Sequence, residues 1–306
     1  RLDLINKRET LIVGVKADYP PWGMVDSKGA LIGMEPDLAK DIAQRLGVKL
    51  KLVAVSSANR QQKVEDGTVD LIIATMNDTT ARRKISGLIE PNYYASGVSI
   101  LLHKDLALTS WDELEGHSIC LTDGAYYNRR LIERYRIKPV IFTGTRNMEP
   151  ALKIRQCVGW AYDKAALQQR LKNEPERLAD YAMPLPTILV SPWAMAVKAD
   201  ERKGPLQKRL SQTIAEWHRS GFLLQKEAEW GLGPSAYLAE QQALWRRKDA
   251  AGDYICHPDA EGRYPSSCLD QRLTAASDRD EIFSGSDFVQ LLYRNGINFP
   301  PLYDDF

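Results

Sequence analysis

Two stretches of this chain alternate short apolar runs with amphipathic ones in the same order. That repeated alternation confines the fold more than any other feature. The first stretch runs from the apolar TLIVGVK through the turn-rich ADYPPWGMVDSKG to MEPDLAKDIAQRLG, KLKLVAV, SSANRQQKVEDG and DLIIATM. In its first helical segment Leu38, Ile42 and Leu46 recur four apart on one face, and Gly47 stands where a left-handed C-terminal cap is expected. Strand, helix, strand, helix, strand is the unit of a parallel sheet wrapped by helices, an α/β fold. The second stretch repeats it as HSICLTDG, AYYNRRLIERY, KPVIFTG, NMEPALKIRQ and CVGWAYD. Extended segments GVSILLHKD and LVSPWAMAVKAD connect the two in opposite directions, which predicts two facing lobes joined by a double-crossing hinge. The helical run GPLQKRLSQTIAEWHRSGFLLQKEAEWG then returns to the first lobe, and beyond Trp245 the periodicity fades into Asp, Gly, Pro and Ser. The expected division is residues 1–102 with 191–244 in lobe one, 103–190 in lobe two, and 245–306 as an extension.

Charge excludes some partners. With a net charge of +1 over 306 residues, no broad field draws in nucleic acid. No apolar run approaches bilayer length. The chain begins without methionine, in keeping with an exported protein whose leader is absent from it. Cys256 and Cys268 flank a Pro/Gly/Ser-rich loop suited to a disulfide and an oxidising compartment, whereas Cys120 and Cys157 lie in strand-like runs and read as buried thiols. His257 beside Cys256 finds no second ligand pair to complete a zinc site.

The stretch DLIIATMNDTTARR carries the chemistry. A buried strand opens there into hydroxyl and amide residues and then two arginines, Arg82 and Arg83. In open α/β sheets ligands sit at such carboxyl ends, and an arginine can grip a carboxylate there through a two-pronged hydrogen bond.

These segments in this order (DYPPWGMVDSKGALIGMEPDLAKDIAQRLG, SSANRQQKVEDGTVDLIIATMNDTTARRK and SWDELEGHSICLTDG) resemble the periplasmic solute-binding proteins of polar amino-acid ABC importers, bacterial extracellular solute-binding protein family 3. The resemblance covers about Thr10 to Leu232. It implies a type II periplasmic-binding-protein fold, a Venus-flytrap with a C-terminal extension here. It further implies a small amino acid closed between the lobes, a permease partner, a monomer in the periplasm, no cofactor and no catalysis. By that resemblance Arg82 matches the clamp on the ligand's α-carboxylate, with Thr75, Asn77 and Thr79 as loop donors. Asp163 matches the partner of the α-ammonium and is also a candidate helix N-cap. Tyr19 and Trp22 match aromatic walls, and Thr122 and Tyr126 flank a second-lobe contact loop where Tyr126 is larger than the usual small hydroxyl residue. Lys16, Ser57 and Arg60 resemble members selecting acidic amino acids. Three cations facing one aspartate favour a ligand with an extra negative charge, such as aspartate or glutamate.

Two alternatives stay open on the sequence. Cyclohexadienyl dehydratases share the scaffold and need a poised acid, for which Asp123 or Glu149 are candidates. Alternatively the chain is the sensing domain of a larger membrane receptor or transporter, with the tail SDFVQLLYRNGINFPPLYDDF at the juncture.

Overall fold

The computed structural model describes residues 1–269. Thr10–Lys16 lies inside a five-stranded sheet, parallel to Lys49–Val55 on one side and Leu71–Ile72 on the other. Ala196–Val197, antiparallel to its neighbours, and Gly87–Leu88 complete the sheet. Leu11, Val13 and Val15 share one face of that strand and are buried, while Gly14 and Lys16 are buried on the other face, as an interior parallel strand requires. The helix Met34–Leu46 buries Met34, Leu38, Ala39 and Ile42 in the same core and ends on a left-handed Gly47.

The second sheet has the order Lys138–Phe142, Ser118–Thr122, Gly159–Asp163, Tyr94–His103, Tyr181–Ala182, and Ile188–Trp193 also pairs with Tyr94–His103. The fold is α/β with two lobes. Tyr94–His103 hydrogen-bonds in the second sheet along its length, and Tyr94 faces Trp193 across the pair.

Three segments differ from expectation. The turn-rich stretch before the first helix forms a small antiparallel sheet of Asp18–Tyr19, Gly23–Val25 and Leu31–Ile32. The long helical run is two helices, Pro205–Ser220 and Phe222–Glu229, broken at Gly221. Gly221 has φ 86°, and a Cβ there would lie 2.4 Å from the Gln242 side chain, so the break needs glycine.

The third correction concerns Cys120 and Cys157, which are joined as a disulfide rather than free thiols. Cys157 stands two residues before Gly159–Asp163, which pairs parallel to Ser118–Thr122, and Val158 donates to the Ser118 carbonyl at 2.8 Å, so Cys157 is brought alongside Cys120 with 5.6 Å between Cα atoms. That adjacency comes from a crossover, and spacing along the chain does not reveal it. Cys256 and Cys268 are also bonded, as expected, and pack with Trp245 and Ala215 against the helix Pro205–Ser220. The remainder of the extension, including the tail considered as a membrane juncture, lies outside the described residues. Replacing both Cys256 and Cys268 with serine should lower extension stability by about 3 kcal/mol in the chain-entropy picture. The check is limited proteolysis: cleavage should appear near residues 249–268 while both lobes stay protected, and an unchanged digestion pattern would refute the bond's role.

Candidate functional site

Every sheet strand that ends in a candidate residue ends at the boundary between the lobes. From the first lobe come Lys16 at the end of Thr10–Lys16, Ser57 and Arg60 after Lys49–Val55, and Thr75 to Arg82 after Leu71–Ile72. From the second come Thr122 at the end of Ser118–Thr122 and Asp163 at the end of Gly159–Asp163. Both sheets thus point their carboxyl ends at one crevice. The lobes touch across it. Tyr19 donates to Asp163, Arg82 Nη2 donates to the Gly124 carbonyl at 3.3 Å, and Thr145 Oγ1 donates to the Asp18 carbonyl at 2.7 Å. Gly124 sits so close to Ser57 and Ala58 that a Cβ would lie 2.8 Å from their backbone.

Arg82 and Arg83 diverge, which resolves their pairing in the sequence. Arg83 forks onto Asp78 at 2.7 Å and reaches Glu90 at 2.6 Å. Arg82 is 2% exposed, donates through Nη1 to the Asn77 carbonyl at 2.9 Å, and receives its backbone cap from Thr79 Oγ1. Among the described residues no carboxylate forms an ion pair with Arg82 or with Arg60. Burial, reinforced by the charge of Arg60, pulls the Arg82 pKa well below its ordinary value. A buried cation in that condition calls for an anion.

Asp163 lies on the opposite lobe, 5% exposed. Its side chain makes no cap bond to the helix Lys164–Asn173 that it precedes, so it is free to face the crevice. Oδ2 accepts from Tyr19, and Oδ1 is buried without a partner. Burial pushes its carboxyl up to about 6, against the Tyr19 hydrogen bond and the charge of Arg60. Thr122 Oγ1 and Asn77 Nδ2 are likewise buried and unpaired. Buried polar atoms are ordinarily satisfied, so this concentration marks a place built for a polar ligand.

The remaining candidates divide by role. Lys16 is fully buried, 2.9 Å from Asp18 and 3.3 Å from Ser57 Oγ. Arg60 is also buried and donates to the Ala74 carbonyl, while Thr75 donates its backbone N–H elsewhere, to Glu35 at 2.7 Å. Tyr19 packs on Tyr162 with ring centroids 4.9 Å apart. Trp22 sits deeper, edge-on to Tyr19, Trp193 and Tyr94 at the hinge. Tyr126 donates to the Leu189 carbonyl. Of the two acids considered for dehydration, Glu149 is engaged with Lys153 and Arg177, and Asp123 is half-buried.

Sequence reasoning missed Asp18, Thr145 and Glu35. Glu35 had a readable signal: it stands three residues before Leu38 and seven before Ile42, on the apolar face of its helix. It is fully buried, and burial pushes its carboxyl up to about 7 against hydrogen bonds from Tyr93 and Thr75 and the charges of Arg60 and Lys16.

Residues 11–233 match the sequence model of bacterial extracellular solute-binding proteins, family 3. The chain belongs to that family. Among its relatives, the glutamine-binding protein of Geobacillus stearothermophilus is 29% identical over 180 residues, 57% of this chain and 68% of that one. The L-cystine-binding protein TcyJ of Escherichia coli (strain K12) is 26% identical over 234 residues, 75% of this chain and 85% of that one. The crystal structure of the cysteine-binding protein from Campylobacter jejuni superposes with a TM-score of 0.71 at 25% identity, covering 78% of this chain and 97% of that one. These relatives and this structural match are binding proteins by name, and catalysis is not the reading they support. Among the described residues no helix is long and apolar enough to cross a membrane.

Proposed function

We propose that this family member holds one small amino acid between its lobes outside the cytoplasmic membrane and hands it to an ABC importer. The observation that carries the reading is the opposition of Arg82 and Asp163 across one crevice: Arg82 is buried with only carbonyl oxygens accepting from its guanidinium, and Asp163 is buried with Oδ1 unpaired. A zwitterion satisfies both only when the lobes are together, so its binding energy favours the closed state. Thr75, Asn77 and Thr79 surround the carboxylate end, and Thr122, Tyr19 and Tyr126 the rest. Relatives named for amino acids and two disulfides suited to an oxidising compartment support the same reading.

The charge inventory bears on the ligand's side chain. The case for aspartate or glutamate rested on three cations facing one acid. Lys16 is paired with Asp18, and Glu35 lies close enough for its charge and that of Arg60 to interact, so the positive surplus is smaller than the three cations alone imply. We favour a neutral polar side chain. A thermal-shift screen of the amino acids with cystine included, followed by calorimetry, tests it: glutamine or a similarly neutral ligand should bind at least 10-fold more tightly than glutamate or aspartate. Tighter binding of glutamate or aspartate overturns the neutral assignment, and no response to any amino acid overturns the function.

A further inference from the structure

One peptide in the site is held between two buried side chains of opposite charge. Arg60 Nη1 donates to the carbonyl of Ala74, and the next N–H, that of Thr75, donates to Glu35 Oε1 at 2.7 Å. Both bonds end on the same planar unit, the Ala74–Thr75 peptide, whose C=O and N–H point in opposite directions. The guanidinium and the carboxylate therefore grip it from its two sides. Tyr93 donates to the same Glu35 oxygen, and Glu35, Arg60, Thr75 and Tyr93 are all buried.

Thr75 explains why such a grip is needed. Its φ is 46°, in the left-handed region, where a β-branched residue is disfavoured because its Cβ crowds the backbone. Strain of this kind persists only where the surroundings over-determine it. Immediately downstream, the Met76 carbonyl accepts from Ala194 at 2.8 Å, the Asn77 carbonyl accepts from Arg82, and Thr79 caps the Arg82 turn. The strained residue is thus the entry to the loop that ends in the carboxylate-binding arginine.

We propose that Glu35 is a positioning residue of the ligand site: with Arg60 it clamps the Ala74–Thr75 peptide, holds Thr75 left-handed, and so presets the loop from Thr75 to Arg82. Rigid presetting matters because a loop ordered only on binding loses affinity to the cost of ordering it. The inference rests on the amino-acid reading above and adds a residue that touches no ligand.

A double-mutant cycle with position 75 tests it, because glycine adopts the left-handed conformation without a clamp. The probe is L-glutamine, or whichever amino acid ranks first on the wild-type protein, titrated calorimetrically. Glu35→Ala should weaken binding roughly 30- to 100-fold with Thr75 present, but less than about 5-fold in the Thr75→Gly background. Glu35→Gln keeps an oxygen to accept from Thr75 and should lose less than about 10-fold. An equal loss in both backgrounds would mean that Glu35 only fills the core, and unchanged affinity of Glu35→Ala would mean that the clamp is idle; either overturns the proposal. If the wild-type protein binds no amino acid, the functional reading fails by itself. The same cycle read by thermal unfolding then decides the clamp: a Tm loss at least halved in the glycine background supports it, and equal losses overturn it.

Discussion

Arg82→Ala should abolish tight binding of the amino acid that stabilises the wild-type protein best. A ligand carboxylate taken into this crevice leaves its water behind, and Arg82 is a buried cation with no carboxylate paired to it among the described residues. Removing one partner of such a buried pair costs about 3–5 kcal/mol, a roughly 200- to 5,000-fold loss in affinity. Arg82→Lys should recover only part, since an ammonium cannot reproduce the planar fork. Arg83→Lys should bind within about 3-fold of wild type, because Arg83 faces Asp78 and Glu90 away from the crevice. Calorimetry on the three variants separates these outcomes. Near-native affinity in Arg82→Ala removes the assignment, and with it the reading of the crevice.

Asp163→Asn should weaken binding about 100-fold and erase a pH dependence that the wild-type protein shows. The ligand's ammonium needs the carboxylate, while burial holds the free Asp163 carboxyl at about 6. Wild-type affinity should therefore climb by up to ~10-fold per unit as pH rises toward 6, and the asparagine variant should lack that step. Stability runs the other way. A carboxyl whose pKa is raised from 3.8 keeps its proton in the folded protein after the unfolded chain has lost it. The contribution of Asp163 to the stability of the unliganded protein thus falls as pH rises from about 4 to about 6 and is level above. Asp163→Asn removes that penalty and should leave the unliganded protein at neutral pH at least as stable as wild type. A variant that binds weakly yet unfolds no earlier marks a group retained for its ligand. A wild-type affinity that is constant from pH 5 to 7 would contradict the role of Asp163.

Much of the scaffold was legible because its signals are local. Apolar periodicity marks Thr10–Lys16 and the helix Met34–Leu46, and Gly47 closes that helix in the left-handed conformation expected of it. The Cys256–Cys268 bond was readable for the same reason, being closed within one short loop. Where a signal depends on elements far apart in sequence, reading fails. Cys120 and Cys157 become neighbours only through the register of two strands joined by a crossover, so each read as an isolated buried thiol.

The same boundary runs through the site. The chain by itself determined which residues stand at strand ends, and so that Arg82, Asp163, Arg60 and Lys16 could face a crevice, because strand direction and loop position follow from local pattern. It could not determine their net charge. That depends on Asp18 meeting Lys16 at 2.9 Å and on Glu35 entering from a helix, 40 residues before Thr75. Local pattern did not separate Arg82 from Arg83, adjacent in sequence, and the choice of Arg82 came from the family resemblance; one helical step turns one guanidinium toward Gly124 and the other onto Asp78. Periodicity specifies which side chains are available. Electrostatic pairing acts through space over a few ångströms, so only tertiary packing decides which charges remain uncompensated for a ligand.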